Sequence, residues 1–110
     1  MEKLSNKKCV PCEGGIDPLI RAEFEAYLEQ LPEWEVINDK AIERLLIFKD
    51  FKQALAFVNK AGEIAEEEGH HPDLFIHQWN KVKVSLWTHA IGGLSINDFV
   101  VASKIDRIKV

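Results

Sequence analysis

Residues 76–89, with the sequence IHQWNKVKVSLWTH, alternate between two kinds of side chain and decide the fold. Successive side chains of a β-strand point to opposite faces of a sheet, so this period of two predicts one long strand, or two strands, with one buried face. The face expected to meet the core carries Val82, Val84, Leu86 and Thr88. A four-strand pattern follows once the residues on either side are added.

Upstream, residues 34–37 predict a short strand, residues 38–40 a turn, and residues 41–48 a second strand. The first strand holds Trp34, and the turn has the sequence Asn-Asp-Lys, which favours a tight reversal. The two strands together therefore predict a β-hairpin.

Helical patterns flank these strands. Asp17 and Pro18 are typical of an N-cap and a first helical position, and apolar residues at helical spacing predict a helix over residues 18–31. Asp50 and Gln53 resemble a capping box, and Gly69 stands where a glycine ends a helix. The apolar stripe expected on that helix comprises Phe51, Ala54, Leu55, Val58, Ala61, Ile64 and Ala65.

A further capping box, from Ser95 to Asp98, predicts the last helix, and Gly92-Gly93 before it predicts a turn. Hairpins and segregated helices are typical of the α+β class. We therefore predict a four-stranded antiparallel sheet with helices packed on one face.

The composition limits the range of functions. The chain has 110 residues, 46% of them hydrophobic and 29% charged, with a formal net charge of −4, which is ordinary for one globular domain. This negative charge disfavours non-specific binding to nucleic acid, which needs clustered positive charge. No apolar run is long enough to span a membrane, and residues 1–8 lack the apolar region of a secretory signal. A cytoplasmic location is the resulting expectation.

Residues 1–16 are interpreted as an irregular N-terminal leader, and residues 17–110 as a single domain. The leader holds a CxxC motif at Cys9 and Cys12. No second ligand pair follows it to complete a zinc site, and no strand precedes it as in a thioredoxin motif. Two reduced thiols, at the surface or half-buried, are the favoured interpretation, although the role of the pair stays open.

All four histidines lie between positions 70 and 89, namely His70, His71, His77 and His89. Imidazole can give or take a proton near neutral pH, so several imidazoles around one pocket can act as general acid and general base. Metal binding is the rival interpretation; it is disfavoured because adjacent histidines rarely ligate one ion together, and no HExxH motif is present. His77 has no motif role, and we expect an ordinary structural histidine there.

The three tryptophans, Trp34, Trp79 and Trp87, are expected in the core. Trp87 shares the face of His89, so it is also a candidate wall for a flat heterocycle. We find no GxSxG, GxGxxG or Walker motif that would indicate other catalytic chemistry.

The spacing of one set of residues resembles the signature of the pterin-4a-carbinolamine dehydratases. That set is Glu66, His70, His71, Pro72, Trp79, His89 and Asp98. The resemblance extends from about Trp34 to Ile105. It implies the same four-stranded fold, assembly as a homodimer or homotetramer, and no metal or organic cofactor. The implied reaction is dehydration of 4a-hydroxytetrahydropterin to quinonoid dihydropterin, which recycles the cofactor of aromatic amino-acid hydroxylases.

The resemblance also implies roles for single residues. His70 and His89 would supply the acid and the base, and His71 would bind and orient the pterin. Glu66 would pair with a ring nitrogen or a histidine. The substrate would meet the backbone of Pro72, Thr88 and Ala90. Trp79 and Asp98 would be structural members of the motif, because Asp98 already has a role as a capping-box carboxylate.

One departure from the family is Leu74, where animal members often have a tryptophan. A leucine has no ring that could stack at position 74. Two alternatives stay open at this point: a pterin pocket that serves molybdopterin metabolism, and a non-catalytic dimerisation or interaction module.

Overall fold

The computed structural model describes residues 2–10 and 16–110. The described residues form three α-helices, which are α1 (Arg21–Leu28), α2 (Phe51–Glu68) and α3 (Ile96–Ile105). They also form four strands, which are β1 (Glu35–Ile37), β2 (Ala41–Ile47), β3 (Asp73–His77) and β4 (Lys81–Leu86). Short 3-10 turns occur at Leu4–Asn6 and His89–Ile91.

The four strands make one antiparallel sheet in the order β1-β2-β4-β3. The α+β class and the antiparallel sheet predicted from the sequence are confirmed. Each of the two hairpin loops reverses the chain over three residues, and two residues of each loop have a positive φ. These residues are Asn38 and Asp39 in the β1–β2 loop, and Gln78 and Trp79 in the β3–β4 loop.

The second of these loops decides between the one strand and the two strands that the alternation allowed. Residues 76–89 do not form one strand, because the chain reverses at 78–80 and ends β3 at His77. Even-numbered residues face the same side of the sheet before and after the three-residue loop, as the pairing of Ile76 with Val82 shows. The alternation in the sequence therefore does not reveal where the chain reverses. The main strand of this stretch is β4, with Ile42 facing Leu86 in the neighbouring strand.

The helices cover one face of the sheet. Val82, Val84 and Leu86 are fully buried on that face, and Thr88 is 3% exposed, as the alternation predicted. The opposite face is open, and its exposed apolar side chains are Leu45, Ile47 and Phe75.

Helix α1 begins three residues later than predicted. Residues 18–20 stay outside the helix because the Leu19 amide donates to the Leu94 carbonyl, at 2.8 Å, and Pro18 lies against Gly93. The backbone amide of Ile20 donates to the Glu23 side chain, at 2.9 Å, so Asp17 is not the N-cap. A tertiary contact therefore overrides the local proline signal.

Helix α2 begins and ends as predicted. The Gln53 amide donates to Asp50, at 2.8 Å, and Gly69 closes the helix with a φ of 67°. The predicted apolar stripe is partly wrong, because Phe51 and Leu55 are exposed and Phe57 is buried in their place. The rest of the buried side is made of small residues, Ala54, Ala61 and Ala65.

Two of the tryptophans have contrasting environments. Trp34 is 6% exposed and donates to Asp106, at 2.9 Å, which confirms its place in the core. Trp79 is 65% exposed in the β3–β4 loop, so its predicted core position is wrong. The left-handed backbone at Trp79, with a φ of 55°, turns the residue away from the core.

The described N-terminal residues pack onto α3. Leu4 is fully buried, and Asn97, Phe99 and Val101 on α3 are buried as well. Of the predicted CxxC pair, Cys9 is half-buried, and Cys12 lies outside the described residues. Within the described parts of the chain, no helix combines the length and apolar character needed to cross a membrane.

Candidate active site

A solvent-open cavity of about 650 Å³ lies where the end of α2 meets the end of β4. Its volume is in the range of pockets that hold small molecules. Seven residues singled out from the sequence line it: His70, His71, Pro72, Trp87, Thr88, His89 and Ala90. The structure thus brings three of the four histidines to one cavity.

The end of α2 positions the first two histidines. The left-handed Gly69 turns the chain back, and its amide and that of His70 both donate to the carbonyl of Ala65. Pro72 then restricts the backbone before β3 begins at Asp73. His70 and His71 therefore leave the helix from a rigid turn rather than from a free loop.

The third histidine begins the 3-10 turn that follows β4. The His89 ring stacks on the Trp87 ring, with 3.8 Å between the ring centroids. A bridge between Thr88 and Gly93, with a 2.8 Å bond from the Thr88 amide, closes this turn. Gly93 is required here, because a Cβ atom would stand 2.7 Å from Pro18.

A buried carboxylate holds His70. Asp98 is fully buried, and its Oδ1 lies 2.6 Å from His70 Nε2. Its Oδ2 accepts from the Thr88 hydroxyl, at 2.8 Å, and from the Ser95 amide, at 2.9 Å. Asp98 therefore fills its predicted capping role and also orients a histidine of the cavity, which the sequence did not indicate.

The His71–Glu66 pair is a surface pair. His71 Nε2 lies 2.6 Å from Glu66 Oε1, and the side chains are 59% and 81% exposed. Such exposed pairs contribute little to stability. Glu66 does not line the main cavity; it borders an adjoining hollow together with His71, Pro72 and Leu74.

The fourth histidine and the motif residue Trp79 lie elsewhere. His77 stacks on Phe75 on the open face of the sheet, with 5.0 Å between the ring centroids. This fits the structural role expected of it. Trp79 lies beyond it in the β3–β4 loop, where Lys81 approaches its ring. Neither residue lines the histidine cavity.

Six further residues of the cavity were not expected from the sequence as site residues. Besides Gly69 and Asp73, which flank the first two histidines and Pro72, they are Cys9, Val10, Glu68 and Asn97. The contacts of Cys9 and Val10 with α3 join positions that are 87 and 88 residues apart, and no local pattern reports such a contact. Asn97 stands beside a recognised capping residue, but nothing in the sequence distinguishes it.

Two of these groups have shifted pKa values. Burial, and then the nearby Glu68 carboxylate, raises the pKa of the Cys9 thiol to about 12. Burial alone would raise the pKa of Glu68 also, but hydrogen bonds from Lys104 and from the Cys9 amide outweigh it and hold that pKa below its ordinary value. Cys9 is thus a neutral thiol, and Glu68 an ionised carboxylate, at neutral pH.

Comparison with known proteins now identifies the family. The family model described as "Pterin 4 alpha carbinolamine dehydratase" matches residues 17–108. The chain belongs to the pterin-4a-carbinolamine dehydratase family. Two relatives bear the name "Putative pterin-4-alpha-carbinolamine dehydratase". The protein of Alkaliphilus metalliredigens is 51% identical over 97% of this chain and 96% of its own length. That of Chlorobaculum tepidum is 47% identical over 98% and 99%.

A solved structure agrees with this assignment. The crystal structure of a transcriptional coactivator/pterin dehydratase from Brucella melitensis superposes with a TM-score of 0.75. It is 34% identical in sequence and covers 82% of this chain and 96% of the Brucella chain. The resemblance noted in the sequence is therefore confirmed at the level of the pterin-4a-carbinolamine dehydratase family. Within residues 2–10 and 16–110, no three His, Cys, Asp or Glu side chains form a group able to hold a metal ion.

Proposed function

We propose that this protein dehydrates 4a-hydroxytetrahydropterins to quinonoid dihydropterins by histidine general acid–base catalysis, in the recycling of a pterin cofactor. One observation carries the proposal: His70, His71 and His89 line a single cavity, and a buried carboxylate orients one of them. The family assignment supplies the substrate class, since the relatives are named for this reaction.

The reaction needs one acid and one base. The hydroxyl on C4a leaves as water once an acid protonates its oxygen, and the electron pair of the N5 nitrogen forms the new C4a–N5 double bond as a base removes the N5 proton. One proton is given up to the leaving hydroxyl and one is gained from N5, so the proton count of the enzyme is unchanged, and proton exchange with solvent then returns each histidine to its starting state. His70 and His89 supply these two functions in our proposal, because imidazole exchanges protons readily near neutral pH.

Asp98 prepares His70 for this role. A carboxylate at Nε2 favours the tautomer that carries a proton on that nitrogen, which leaves Nδ1 as the ring nitrogen not engaged by Asp98. The low exposure of the His70 side chain, 12%, limits its freedom to rotate. The arrangement resembles the pairing of an imidazole with an orienting acid in other enzymes that use histidine as a base.

The remaining residues bind the substrate. The Trp87 ring, stacked with His89, offers a flat apolar surface of the kind on which a bicyclic pterin can pack. Pro72, Thr88 and Ala90 contribute cavity wall, and His71, paired with Glu66 of the adjoining hollow, offers donors and acceptors where the two spaces meet. These are proposed roles for pterin binding and orientation.

A turnover assay tests the proposal. Chemically generated 4a-hydroxytetrahydropterin loses water slowly by itself, and quinonoid dihydropterin is followed by its absorbance. We expect the purified protein to accelerate this step, and to do so equally after dialysis against a chelator, since we propose no metal. An unchanged rate of water loss would overturn the proposed function; an acceleration that the chelator abolishes would overturn the metal-free mechanism alone.

We also propose that the protein assembles as a homodimer or homotetramer. Support comes from large apolar side chains left exposed on the open sheet face and on α2, namely Leu45, Ile47, Phe75, Phe51 and Leu55. Such a surface is typical of an interaction site. Light scattering after size-exclusion chromatography tests it, and a monomeric mass at micromolar concentration would overturn it.

A further inference from the structure

The N-terminal residues Cys9 and Val10 border the histidine cavity, although the rest of its wall comes from residues 68–97. They reach it by lying along the start of α3. The Val10 side chain is 59% exposed, so the segment is not held there by burial of that side chain. Cys9 packs half-buried against the core, and the other contacts that hold the segment are polar and come from buried groups.

Asn97 provides the first anchor. Its side-chain amide donates to the Val10 carbonyl, at 2.6 Å, and its side-chain carbonyl accepts from the Val10 amide, at 3.0 Å. Asn97 itself is only 3% exposed. Because both backbone groups of one residue are bound by one side chain, the position and the direction of the segment are fixed together.

Glu68 provides the second anchor. Its Oε1 accepts from the Cys9 amide, at 2.9 Å, and its Oε2 accepts from Lys104, at 2.8 Å. The Glu68 side chain is 4% exposed, and Lys104 compensates its charge. Two neighbouring residues of the segment are thus held by two separate buried side chains, one from α2 and one from α3.

We propose that Val10 is a specificity-determining residue that contacts the bound pterin, and that Asn97 is the positioning residue that holds it there. The inference rests on the proposed function for the substrate class. A segment fixed in advance loses little conformational entropy when a ligand packs against it, so its contact adds to affinity. An exposed apolar side chain at the cavity edge gains from burial under a ring substituent of the pterin.

Kinetics and binding together test this inference. In Val10→Ala we expect KM for 4a-hydroxytetrahydropterin, and Kd for the stable probe 7,8-dihydrobiopterin, to rise about three- to tenfold, the scale of one or two partly buried methyl contacts. We expect kcat to stay within about twofold, since Val10 touches no reacting atom. Val110→Ala is the matched control, because it makes the same change at an exposed position, 46% accessible, near the C-terminus.

Asn97→Ala should produce the same rise in KM and Kd with little change in kcat. Asn80→Ala is its control, since Asn80 also donates to a backbone carbonyl, that of Phe48 at 3.0 Å, but outside the cavity.

Should Asn97→Ala fail to fold, the result for Val10→Ala decides the inference alone. Unchanged KM and Kd in Val10→Ala would overturn the inference while leaving the proposed function intact. A wild type that binds the probe without turnover would overturn the proposed function alone, and a wild type that neither binds nor turns over would overturn both.

Discussion

Asp98 Oδ1 lies 2.6 Å from His70 Nε2, and the carboxylate is fully buried. The same carboxylate binds the Thr88 hydroxyl and the Ser95 amide, so one side chain joins the start of α3, the end of β4 and the turn after α2. A buried carboxylate with three donors is held firmly, and it transfers that rigidity to the imidazole. Asp98, a capping-box residue of α3, therefore also holds His70 in position at the candidate active site.

Asp98→Asn should therefore impair turnover more than folding. The asparagine can still accept from Ser95, but its amide group would face His70 and favour the wrong imidazole tautomer. We expect kcat to fall by on the order of tenfold to hundredfold with KM little changed. Asp39→Asn, at an exposed position, is the control. A wild-type kcat in folded Asp98→Asn, confirmed by circular dichroism, would show that the pair does not serve catalysis.

Ionisation of Glu68 makes the free energy of unfolding depend on pH in the acid range. Its pKa in the folded protein lies below the ordinary value of 4.5, so its stabilising contribution is complete above about pH 4.5 and is lost as the pH falls through the folded pKa. Glu68→Gln should be less stable than wild type at pH 7, and the difference should shrink towards pH 3. Urea unfolding at several pH values measures this, with exposed Glu67→Gln as the control. A difference that stays constant from pH 7 to pH 3 would contradict the assigned ionisation.

Cys9 should react slowly with alkylating agents. Its pKa of about 12 leaves very little thiolate at pH 8, and the thiolate is the reactive form. We expect iodoacetamide to modify Cys9 in the folded protein on the order of 10²-fold or more slowly than in urea, as resolved by mass spectrometry of the peptide. Glu68→Gln should speed the reaction, because Glu68 raises this pKa. Equal rates in the folded and unfolded chains would contradict the prediction.

Replacing each of two glycines by alanine should change the stability of the protein in opposite directions. Gly93→Ala places a Cβ atom 2.7 Å from Pro18, so we expect a loss of about 1–3 kcal/mol in the free energy of unfolding. Gly62 lies inside α2, and apart from the neighbouring backbone of the helix itself no atom stands within 4 Å of the position that an added methyl group would take. Gly62→Ala should therefore stabilise the protein by about 0.5–1 kcal/mol. Thermal and urea unfolding measure both. Equal effects of the two changes would contradict the contact between Pro18 and the turn.

Much of the fold is encoded in local patterns. The alternation at Val82, Val84 and Leu86, the cap at Asp50 and the terminating Gly69 each act within a few residues, so they could be recognised in the sequence. The start of α1 could not, because the Leu94 carbonyl and the Pro18 contact with Gly93 compete with the local signal. The position of the β3–β4 loop could not be predicted either, because Gln78 and Trp79, which adopt a left-handed backbone there, are not typical turn residues.

The residues of the candidate site also fall into those that a local pattern predicts and those that depend on distant contacts. His70, His71 and His89 could be grouped because they fall within 20 positions and on predicted element ends. The second role of Asp98 and the anchoring of Val10 by Asn97 depend on contacts between distant parts of the chain. Those contacts follow from how α3 packs, and α3 is buried around nearly its whole circumference.

The rate of dehydration in single and double histidine variants tests the central claim most directly. His70→Ala and His89→Ala should each lower kcat on 4a-hydroxytetrahydropterin by on the order of 10², with the double variant close to the uncatalysed rate. His77→Ala, on the open face of the sheet, should keep the wild-type rate. Full activity in the folded double variant would contradict general acid–base catalysis by these imidazoles.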